Sequence, residues 1–483
     1  MIKLFIIYLL LFGGCNNAQT QLETKQLYAD YPWQFTPPMP HGRYGHDAIY
    51  ASNGKIYVMG GLVYKVAKGF KKFKDSDSWM IDHYNDGRYS NLTFDSIKNQ
   101  WEYMASIPGN EYGDHIILYY PDEDKWVERQ VVIKSLTDEA KTKLCQPLDE
   151  NKKPARIYGT NFIRQGNGVA IAVLQKNTLL WMGGGDFLND GANIALPYQL
   201  KEDAWPELVR KERTSNLGRI RTIYEMDQRE MFQTTIPPMQ DSRRDHRAVT
   251  NSDGKIYVLG GWRREKSGVD IEKGIYKEMI NVVSKTMECY DPEINQWTYK
   301  KSLSRERMSF AAVAGKDNKI YVFGGAAGME TEPQTAILNT VEVYDPETDS
   351  WLFRKPMPVK RSGHCAVLAA DGKIYVLGGT EVPDLPLNTV FIYDPEGDTW
   401  ERGPDMILPR DVLAAVATPD GKIYAIGGTD VGAYDNGENW NHLTSLVSQN
   451  ELSGYKGKVQ DTVEVLDIYR WKKSQNKEKS KNK

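Results

Sequence analysis

Six arginines recur at similar places in a repeating sequence, and they are the side chains best suited to bind a ligand. Four of them stand ten residues after a tryptophan. The set is Arg43, Arg156, Arg243, Arg307, Arg361 and Arg410, with Glu111 at the corresponding place in one further repeat. A guanidinium offers a planar fork of N–H donors that fits a carboxylate or a sulfate. If the fold brings these arginines to one place, they predict a binding site for an anionic ligand.

The alternative is that each arginine serves its own repeat, through carbonyl oxygens and Asp or Glu partners. Residues that recur with a repeat often stabilise it, and the sequence alone leaves both possibilities open.

Three histidines share one position, three residues after an arginine: His46, His246 and His364. A metal ion would need their rings within a few ångströms of one point. They belong to non-adjacent repeats, so we predict a structural role and no metal site.

The sequence contains none of the common catalytic motifs. It has no G-x-S-x-G, no H-E-x-x-H, no phosphate-binding loop and no C-x-x-C. We therefore predict no catalytic residue and no cofactor. Whether the protein is an enzyme stays open, with a non-enzyme favoured.

Two repeated elements must position these side chains. One is a strand that ends in a glycine pair, as in "GKIYVLGG" (372–379), and it occurs six times. The other is a strand, an Asp-Pro turn and a second strand opening on Trp, as in "TVEVYDPETDSW" (340–351). Alternating apolar residues predict strands, and Asp-Pro and Gly-Gly predict turns.

These elements resemble the kelch repeat, and the resemblance covers residues 33 to about 471. It implies an all-β propeller with one four-stranded sheet, or blade, per repeat. Arg43 and Arg156 are 113 residues apart, about two blade lengths, which favours seven blades. If "HIILYYPDEDKW" (115–126) instead ends the first blade after a long insertion, the count is six.

The two ends of the repeat region are predicted to meet. Trp33 precedes Pro40 and Arg43 by the same intervals as the other tryptophans. It therefore belongs to the last strand of a blade whose other strands come from the C-terminal segment 462–467. Pairing of this N-terminal outer strand with the C-terminal strands would close the ring and remove exposed sheet edges.

The N-terminus resembles a bacterial lipoprotein signal peptide. Lys3 is followed by the apolar run 4–12 and then by Gly13, Gly14 and Cys15. The resemblance implies cleavage before Cys15 and lipidation of that residue, for example with palmitate. It implies an exported protein held by lipid in the membrane of the cell envelope, at the outer membrane. The alternative is an ordinary signal peptide with an incidental cysteine.

We expect a signal peptide over 1–14, a flexible tether over 15–28, the propeller over 29–471 and a disordered basic tail over 472–483. The formal net charge is −3, which gives no reason to expect a nucleic-acid partner. Cys145, Cys289 and Cys365 have no paired spacing and predict no disulfide framework.

Insertions between the second and third strands of the blades, at 62–89, 186–220, 262–285 and 429–461, are predicted to gather on one face. The first is locally basic. We predict a monomeric binding or scaffolding module for an anionic glycan or an acidic protein segment at the channel mouth. Kelch domains that bind acidic peptides place arginines from several blades there.

Two other functions stay open. Sialic-acid mutarotases are kelch propellers that act on an anionic sugar, so the resemblance allows a carbohydrate-active enzyme of that type. A purely structural envelope protein is the other alternative. A copper enzyme resembling galactose oxidase is disfavoured, because the sequence has no Tyr-His step.

Overall fold

The structure is a computed structural model, and strands make up most of what it describes. It describes residues 31–39, 42–63, 71–72, 79–80, 92–95, 97–103, 115–120, 125–130, 156–160, 167–175, 177–185, 195–201, 209–210, 232–233, 236–270, 275–328, 336–382, 385–430 and 460–481.

The described residues form 34 strands and one helix. The first fifteen strands are β1 Trp33–Phe35, β2 Arg43–Tyr50, β3 Lys55–Val63, β4 Lys71–Lys72, β5 Trp79–Met80, β6 Leu92–Asp95, β7 Gln100–Tyr103, β8 His115–Tyr120, β9 Lys125–Gln130, β10 Arg156–Thr160, β11 Asn167–Gln175, β12 Thr178–Gly185, β13 Ala195–Gln199, β14 Val209–Arg210 and β15 Phe232–Gln233. The next ten are β16 Arg247–Thr250, β17 Ile256–Leu259, β18 Trp262–Asp270, β19 Ile275–Val283, β20 Met287–Asp291, β21 Gln296–Lys300, β22 Ala311–Ala314, β23 Ile320–Phe323, β24 Ala326–Ala327 and β25 Ala336–Ile337. The remainder are β26 Val341–Asp345, β27 Ser350–Arg354, β28 Cys365–Leu368, β29 Ile374–Leu377, β30 Val390–Asp394, β31 Thr399–Arg402, β32 Ala414–Ala417, β33 Lys422–Ile426, β34 Val463–Asp467 and the helix α1 Ile468–Lys481.

Five four-stranded antiparallel sheets share one topology, and they give the fold its character as an all-β propeller. Their strand orders are β2-β3-β6-β7, β16-β17-β20-β21, β22-β23-β26-β27, β28-β29-β30-β31 and β32-β33-β34-β1. In each sheet the glycine-pair strand is second, as the repeats predict. Five four-stranded blades lie within the described residues, so the prediction of seven is wrong.

Residues 111–160 account for the error. The hairpin of β8 and β9, which resembled the end of an additional blade, pairs with β10 in a three-stranded sheet of order β10-β8-β9. The glycine pair of this part of the chain lies in a different sheet, β11-β12-β13. The strand that precedes the glycine pair is therefore β11. Arg156 opens β10 and does not stand at the start of a blade's first strand.

The first strands of these sheets pack side by side. The strand β2 lies against β11 and β32, β16 lies against β11 and β22, and β28 lies against β22 and β32. In a propeller such first strands line the central channel, and the second to fourth strands of each sheet lie farther out.

The N-terminal strand β1 completes the sheet that contains the C-terminal strand β34. Trp33 faces Leu466 across this antiparallel pair. The Trp33 side chain is fully buried, and its Nε1 donates to the carbonyl of Pro404, at 2.9 Å. Trp351 and Trp400 donate in the same way to the chain leaving the preceding blade, at 2.8 and 3.0 Å.

A tyrosine–tryptophan pair joins the third and fourth strands in three blades. Tyr344 on the third strand packs against Trp351 on the fourth, with ring centroids 5.1 Å apart. The Tyr344 hydroxyl donates to Asp349 Oδ1 at 2.7 Å, and Asp349 takes the left-handed φ of 46° that the turn requires. The blade of Tyr393, Asp398 and Trp400 repeats this arrangement.

The helix α1 follows β34 directly and lies beside the turns that join first to second strands. Ile468 is fully buried, and Lys472 Nζ lies 2.6 Å from Asp371 Oδ2. The tail that was predicted to be disordered from residue 472 is thus helical to Lys481. No helix of the described part is both long and apolar enough to cross a bilayer. The predicted signal peptide, the tether and Cys15 lie outside the described residues, as does Cys145.

Candidate functional site

Each repeat arginine whose side chain is described is buried and folds back over its own blade. The five are at most 1% exposed. In every one, Nη1 donates to the carbonyl of the first glycine of the pair, 17 residues later, at 2.7–3.2 Å. The donor–acceptor pairs are Arg43–Gly60, Arg243–Gly260, Arg307–Gly324, Arg361–Gly378 and Arg410–Gly427. The guanidinium thus joins the start of the first strand to the end of the second.

In three blades the guanidinium also meets a fully buried glutamate of the third strand. The ion pairs are Arg243–Glu288, Arg307–Glu342 and Arg410–Glu464. In the first, Arg243 Nη2 lies 3.0 Å from Glu288 Oε1. The other carboxylate bonds are filled by the chain entering the blade, since Gln240 N and Asp241 N donate to Glu288 at 2.6 and 3.0 Å. A buried ion pair is stable only when such remaining bonds are made.

These glutamates were not predicted from the sequence, although a signal was present. A Thr-x-Glu triplet opens the third strand of the three blades, at 286–288, 340–342 and 462–464. The threonine belongs to the network as well, because Thr286 Oγ1 accepts from Arg243 Nη2 at 2.7 Å, and Thr462 Oγ1 accepts from Arg410 Nη2 at 2.8 Å.

One blade carries Phe391 in place of the glutamate. Arg361 Cζ lies 5.0 Å from the centroid of the Phe391 ring, and Arg402 Cζ lies 4.9 Å from the same centroid. Arg361 keeps its bonds to the carbonyls of Gly378 and Thr389, at 2.7 and 2.9 Å. Burial, together with the nearby Arg402 charge, lowers the pKa of Arg361 to about 10. A cation–π contact here substitutes for an ion pair.

The main chain of each arginine ties its blade to the preceding one. The second glycine of a pair donates its N–H to the carbonyl of the next repeat arginine, as in Gly261 to Arg307 at 2.9 Å. Gly428 donates to Arg43 at 2.9 Å, which joins the sheet of β32 to the sheet of β2. A β-carbon at Gly261 would overlap the carbonyl oxygen of Arg244, and φ is +81° there, so only glycine fits.

A left-handed residue stands two positions after the arginine in the first strands. The six residues are Gly45, Gly168, Asp245, Ser309, Gly363 and Val412, with φ between 50° and 72°. They are joined by backbone hydrogen bonds, for example Val412 N to Gly363 O at 2.9 Å and Gly45 N to Val412 O at 3.1 Å. In the sheet of β11 the arginine position itself is Gly166, 17 residues before Gly183. One end of the central channel is therefore bounded by hydrogen-bonded backbone.

The three histidines lie between blades. His46, His246 and His364 are at most 4% exposed, and a β-carbon on Gly427 or Gly183 of the preceding blade would meet the ring of His46 or His246. Burial, and then the Arg43 charge, lowers the pKa of His46 to about 3. Burial lowers the pKa of the other two well below the ordinary value as well. These rings are neutral packing groups, and in the described part of the chain no three metal-binding side chains cluster.

The structure thus brings five of the six predicted arginines to equivalent places, but it encloses each guanidinium in its own blade. The side chains of Arg156 and Glu111 lie outside the described residues. The ligand-binding role of the arginines stays a prediction. Their burial favours the structural alternative that the repeat also predicted.

The face at which the glycine pairs end carries a long insertion between the second and third strands of one blade. The strands β18 and β19 form a two-stranded ribbon that pairs from Trp262 opposite Val283 to Asp270 opposite Ile275. Trp262 and Val283 pack at its base, and Arg244 Cζ lies 5.6 Å from the Trp262 ring centroid. Most residues of the other predicted insertions lie outside the described ones.

Comparison with known proteins identifies the repeat. The kelch motif family matches residues 243–304, 307–358 and 361–407. The human kelch repeat and BTB domain-containing protein 12 is 33% identical over 140 residues, which are 27% of this chain and 21% of that protein. Alpha-scruin of Limulus polyphemus is 30% identical over 176 residues, 36% of this chain and 16% of its own length. Mouse kelch-like protein 35 is 34% identical over 165 residues, 34% of this chain and 24% of its own length. The chain therefore spans about a quarter or less of these relatives.

Proposed function

Because the chain is a kelch-repeat protein, we propose that it is a binding or scaffolding module that presents its site on the face where the glycine pairs end. The observation that carries this proposal is the ribbon of β18 and β19. Its strands leave the second strand of a blade at Trp262 and return to the third at Val283, with nine residues in each. The buried arginine networks beneath it make a rigid frame for such a protruding element.

The ligand we propose is an acidic protein segment or an anionic glycan. Basic residues occur in two of the predicted insertions: the ribbon carries Arg263, and the sequence of the first insertion contains five lysines between residues 65 and 74. Arg263 keeps about a quarter of its side chain exposed while it pairs with Asp241 at 3.5 Å. Positive charge around a channel mouth attracts anionic partners.

The frame itself, we infer, is a closed ring of six blades. The packing of β2 against both β11 and β32 supports this, as does the hydrogen bond from Gly428 to Arg43. The six left-handed residues on six first strands give the same count.

Binding to arrays of acidic peptides and anionic glycans tests the proposed ligand class. We compare the wild-type protein with a variant in which residues 264–281 are replaced by a two-residue turn. Since β18 and β19 pair only with each other among the described strands, the blades should fold without them. We expect binding to fall about tenfold or more, equivalent to about 1.4 kcal/mol. Ile294→Ser is the control, since that side chain is 57% exposed and lies in the turn between β20 and β21, at the opposite end of the blade from the ribbon.

Unchanged binding by the shortened variant would overturn the proposed site. Interconversion of sialic-acid anomers in an NMR assay would replace the binding module by the sugar-active enzyme that the sequence left open.

We also propose that Cys15 carries the lipid that holds the protein in the cell envelope. Metabolic labelling with palmitate and membrane fractionation test this. We expect label and membrane association in the wild type and neither in Cys15→Ser. Membrane association of the variant at the wild-type level would refute the anchor.

A further inference from the structure

A second cluster of charged side chains lies inside the central channel, away from the face discussed above. It occupies the position four residues after the arginine on each first strand. In blade order the six residues are Asp47, Ala170, Arg247, Ala311, Cys365 and Ala414. An acid, a guanidinium and a thiol therefore come from alternate blades, and alanines separate them. The small alanines leave room for the three longer side chains at this level.

Asp47 is held by the inner edges of two neighbouring strands. Its Oδ1 accepts from Ala48 N and its Oδ2 accepts from Ile171 N, both at 2.9 Å. Burial raises the pKa of Asp47, and the charge of Arg247 partly offsets that rise. The carboxylate thus faces the channel between β2 and β11, where the Arg247 charge reaches it.

Arg247 is partly exposed and has spare hydrogen-bond donors. Its hydrogen bond within the described residues runs from Nη1 to the His246 carbonyl, at 3.4 Å. No described carboxylate oxygen lies within 4 Å of its guanidinium, in contrast to Arg243 and Arg410. Its charge lowers the pKa of His46, His364 and Cys365, which belong to other blades. The Arg247 guanidinium is therefore close enough to β2 and β28 for its charge to act on residues of both strands.

Cys365 completes the level without adding charge. Its Sγ donates to the carbonyl of Leu413 at 2.8 Å. Burial raises the pKa of the thiol to about 12, so it stays protonated and is no nucleophile at neutral pH.

A cavity leads to this level from the opposite end of the channel. It has a volume of about 400 Å³ and begins one residue farther along the strands, at Ala48, Ala366 and Ala415. It extends to Ala370 and Pro419, at the turns that join first to second strands. The hydrogen-bonded left-handed residues lie two positions before the Arg247 level, so the charged level lies between them and the inner end of the cavity.

We propose that this charged level, next to the inner end of the cavity, binds a small zwitterionic molecule, with its carboxylate on Arg247 and its ammonium group on Asp47. A guanidinium with free donors fits a carboxylate, and an aspartate that keeps acceptor capacity fits an ammonium group. The apolar alanine and valine walls suit a short aliphatic chain between the two charges. This site is independent of the ribbon face, so either can fail without the other.

Three small probes test the proposal by saturation-transfer NMR on the full chain. They are β-alanine, which carries both charges, propionate and propylammonium. We expect β-alanine to bind at millimolar concentration, propionate to bind more weakly and propylammonium to bind least. Arg247→Met should weaken β-alanine binding about tenfold, because it removes the charge-assisted hydrogen bonds to the carboxylate. Arg305→Met is the matched control, since that arginine is about half exposed and outside the channel.

Asp47→Asn provides a second, nearly isosteric variant. It should remove the preference for β-alanine over propionate while leaving propionate binding in place. Equal β-alanine binding by the wild type and Arg247→Met would overturn the proposal, as would the absence of binding by all three probes. Melting curves of each variant establish that it is folded.

Discussion

At the scale of single residues, the recurring arginine stabilises each blade. The same guanidinium closes the same 17-residue interval in five blades and meets a buried glutamate in three. A buried charge needs a partner wherever it occurs. Where the glutamate is missing, the ring of Phe391 takes its place between two guanidiniums.

Removal of one of these glutamates should be costly. Glu288→Ala leaves the Arg243 guanidinium buried with fewer acceptors and also leaves two backbone N–H groups without their partner. We expect a loss of about 3–5 kcal/mol in the free energy of unfolding, the range for breaking a buried pair. Urea denaturation measures it, with the exposed Glu293→Ala as the control. A loss no larger than the control's would contradict the structural role of the network.

The phenylalanine of the exceptional blade should contribute less. Phe391→Leu keeps an apolar side chain but removes the aromatic face above Arg361. We expect a loss of about 1–2 kcal/mol. The same substitution at Phe353, whose side chain is 65% exposed, serves as the comparison in thermal unfolding. Equal losses at both positions would argue against the cation–π contact.

The buried histidines should make stability depend on pH. The folded pKa of His46 is about 3, far below the value near 6.5 of an unfolded chain. Below about pH 6.5 the unfolded chain binds a proton at His46 that the folded chain does not bind. The free energy of unfolding is therefore unaffected by this group above about pH 6.5 and falls as the pH drops toward 3, by up to about 1.4 kcal/mol per pH unit for each histidine. Leu413 fills the equivalent position in another blade. His46→Leu should therefore remove the part of the pH dependence that His46 contributes.

Urea denaturation at pH 6.5 and pH 5 measures the change in the free energy of unfolding for the wild type and for His46→Leu. Because Asp47 and Asp245 have raised pKa values, they act in the opposite sense, and the difference between wild type and variant isolates the histidine. A variant that loses as much stability as the wild type on acidification would refute the assignment.

At the scale of elements, the start of each first strand is a strained, hydrogen-bonded turn. Three of its six left-handed positions are glycine, but Val412 is β-branched at a φ of 50°. Such a conformation is unfavourable for valine. The turn is retained because each neighbour supplies the hydrogen bonds that hold it.

Glycine at this position should relieve the strain. Val412→Gly is expected to leave stability unchanged or raise it by about 0.5–1 kcal/mol, unlike an ordinary Val→Gly change. The reverse change, Gly363→Val, should destabilise strongly, because a β-carbon there would overlap Asp411 Oδ1. Melting temperatures of the two variants test this expectation. A lower melting temperature for Val412→Gly than for the wild type would show that Val412 is not strained.

At the scale of the whole molecule, the first and last strands share one sheet. The pairing of β1 with β34 covers an edge that would otherwise expose unpaired N–H and C=O groups. The buried Trp33 anchors that pairing against the preceding blade.

Truncation of Trp33 should therefore weaken the entire propeller. Trp33→Ala is expected to cost about 3–5 kcal/mol, the range for removing a large buried aromatic side chain. Tyr31→Ala, two residues earlier and exposed, is the control. Light scattering on heating should show aggregation of the Trp33 variant at a lower temperature than that of the Tyr31 variant. Coincident curves for the two variants would contradict the role of Trp33 in holding β1 against β34.

The sequence by itself determined the blade. Its glycine pairs, Asp-Pro turns and tryptophans are local signals, because turn geometry and strand alternation depend on neighbouring residues. The same intervals placed Trp33 in a sheet with the C-terminal strands, and that pairing is found. The same intervals wrongly predicted an additional blade over 111–160, where the hairpin of β8 and β9 has the expected pattern but pairs with β10.

Only the tertiary structure decided what the repeated side chains do. Whether Arg243 faces solvent or Glu288 depends on residues 45 positions apart that meet across a sheet. Likewise, Asp47 and Arg247 are 200 positions apart in the chain, and they stand at equivalent positions of first strands that belong to different sheets. The spacing of residues along the chain identifies the repeat. It does not predict burial or charge pairing, because these depend on contacts between strands that are far apart in the sequence.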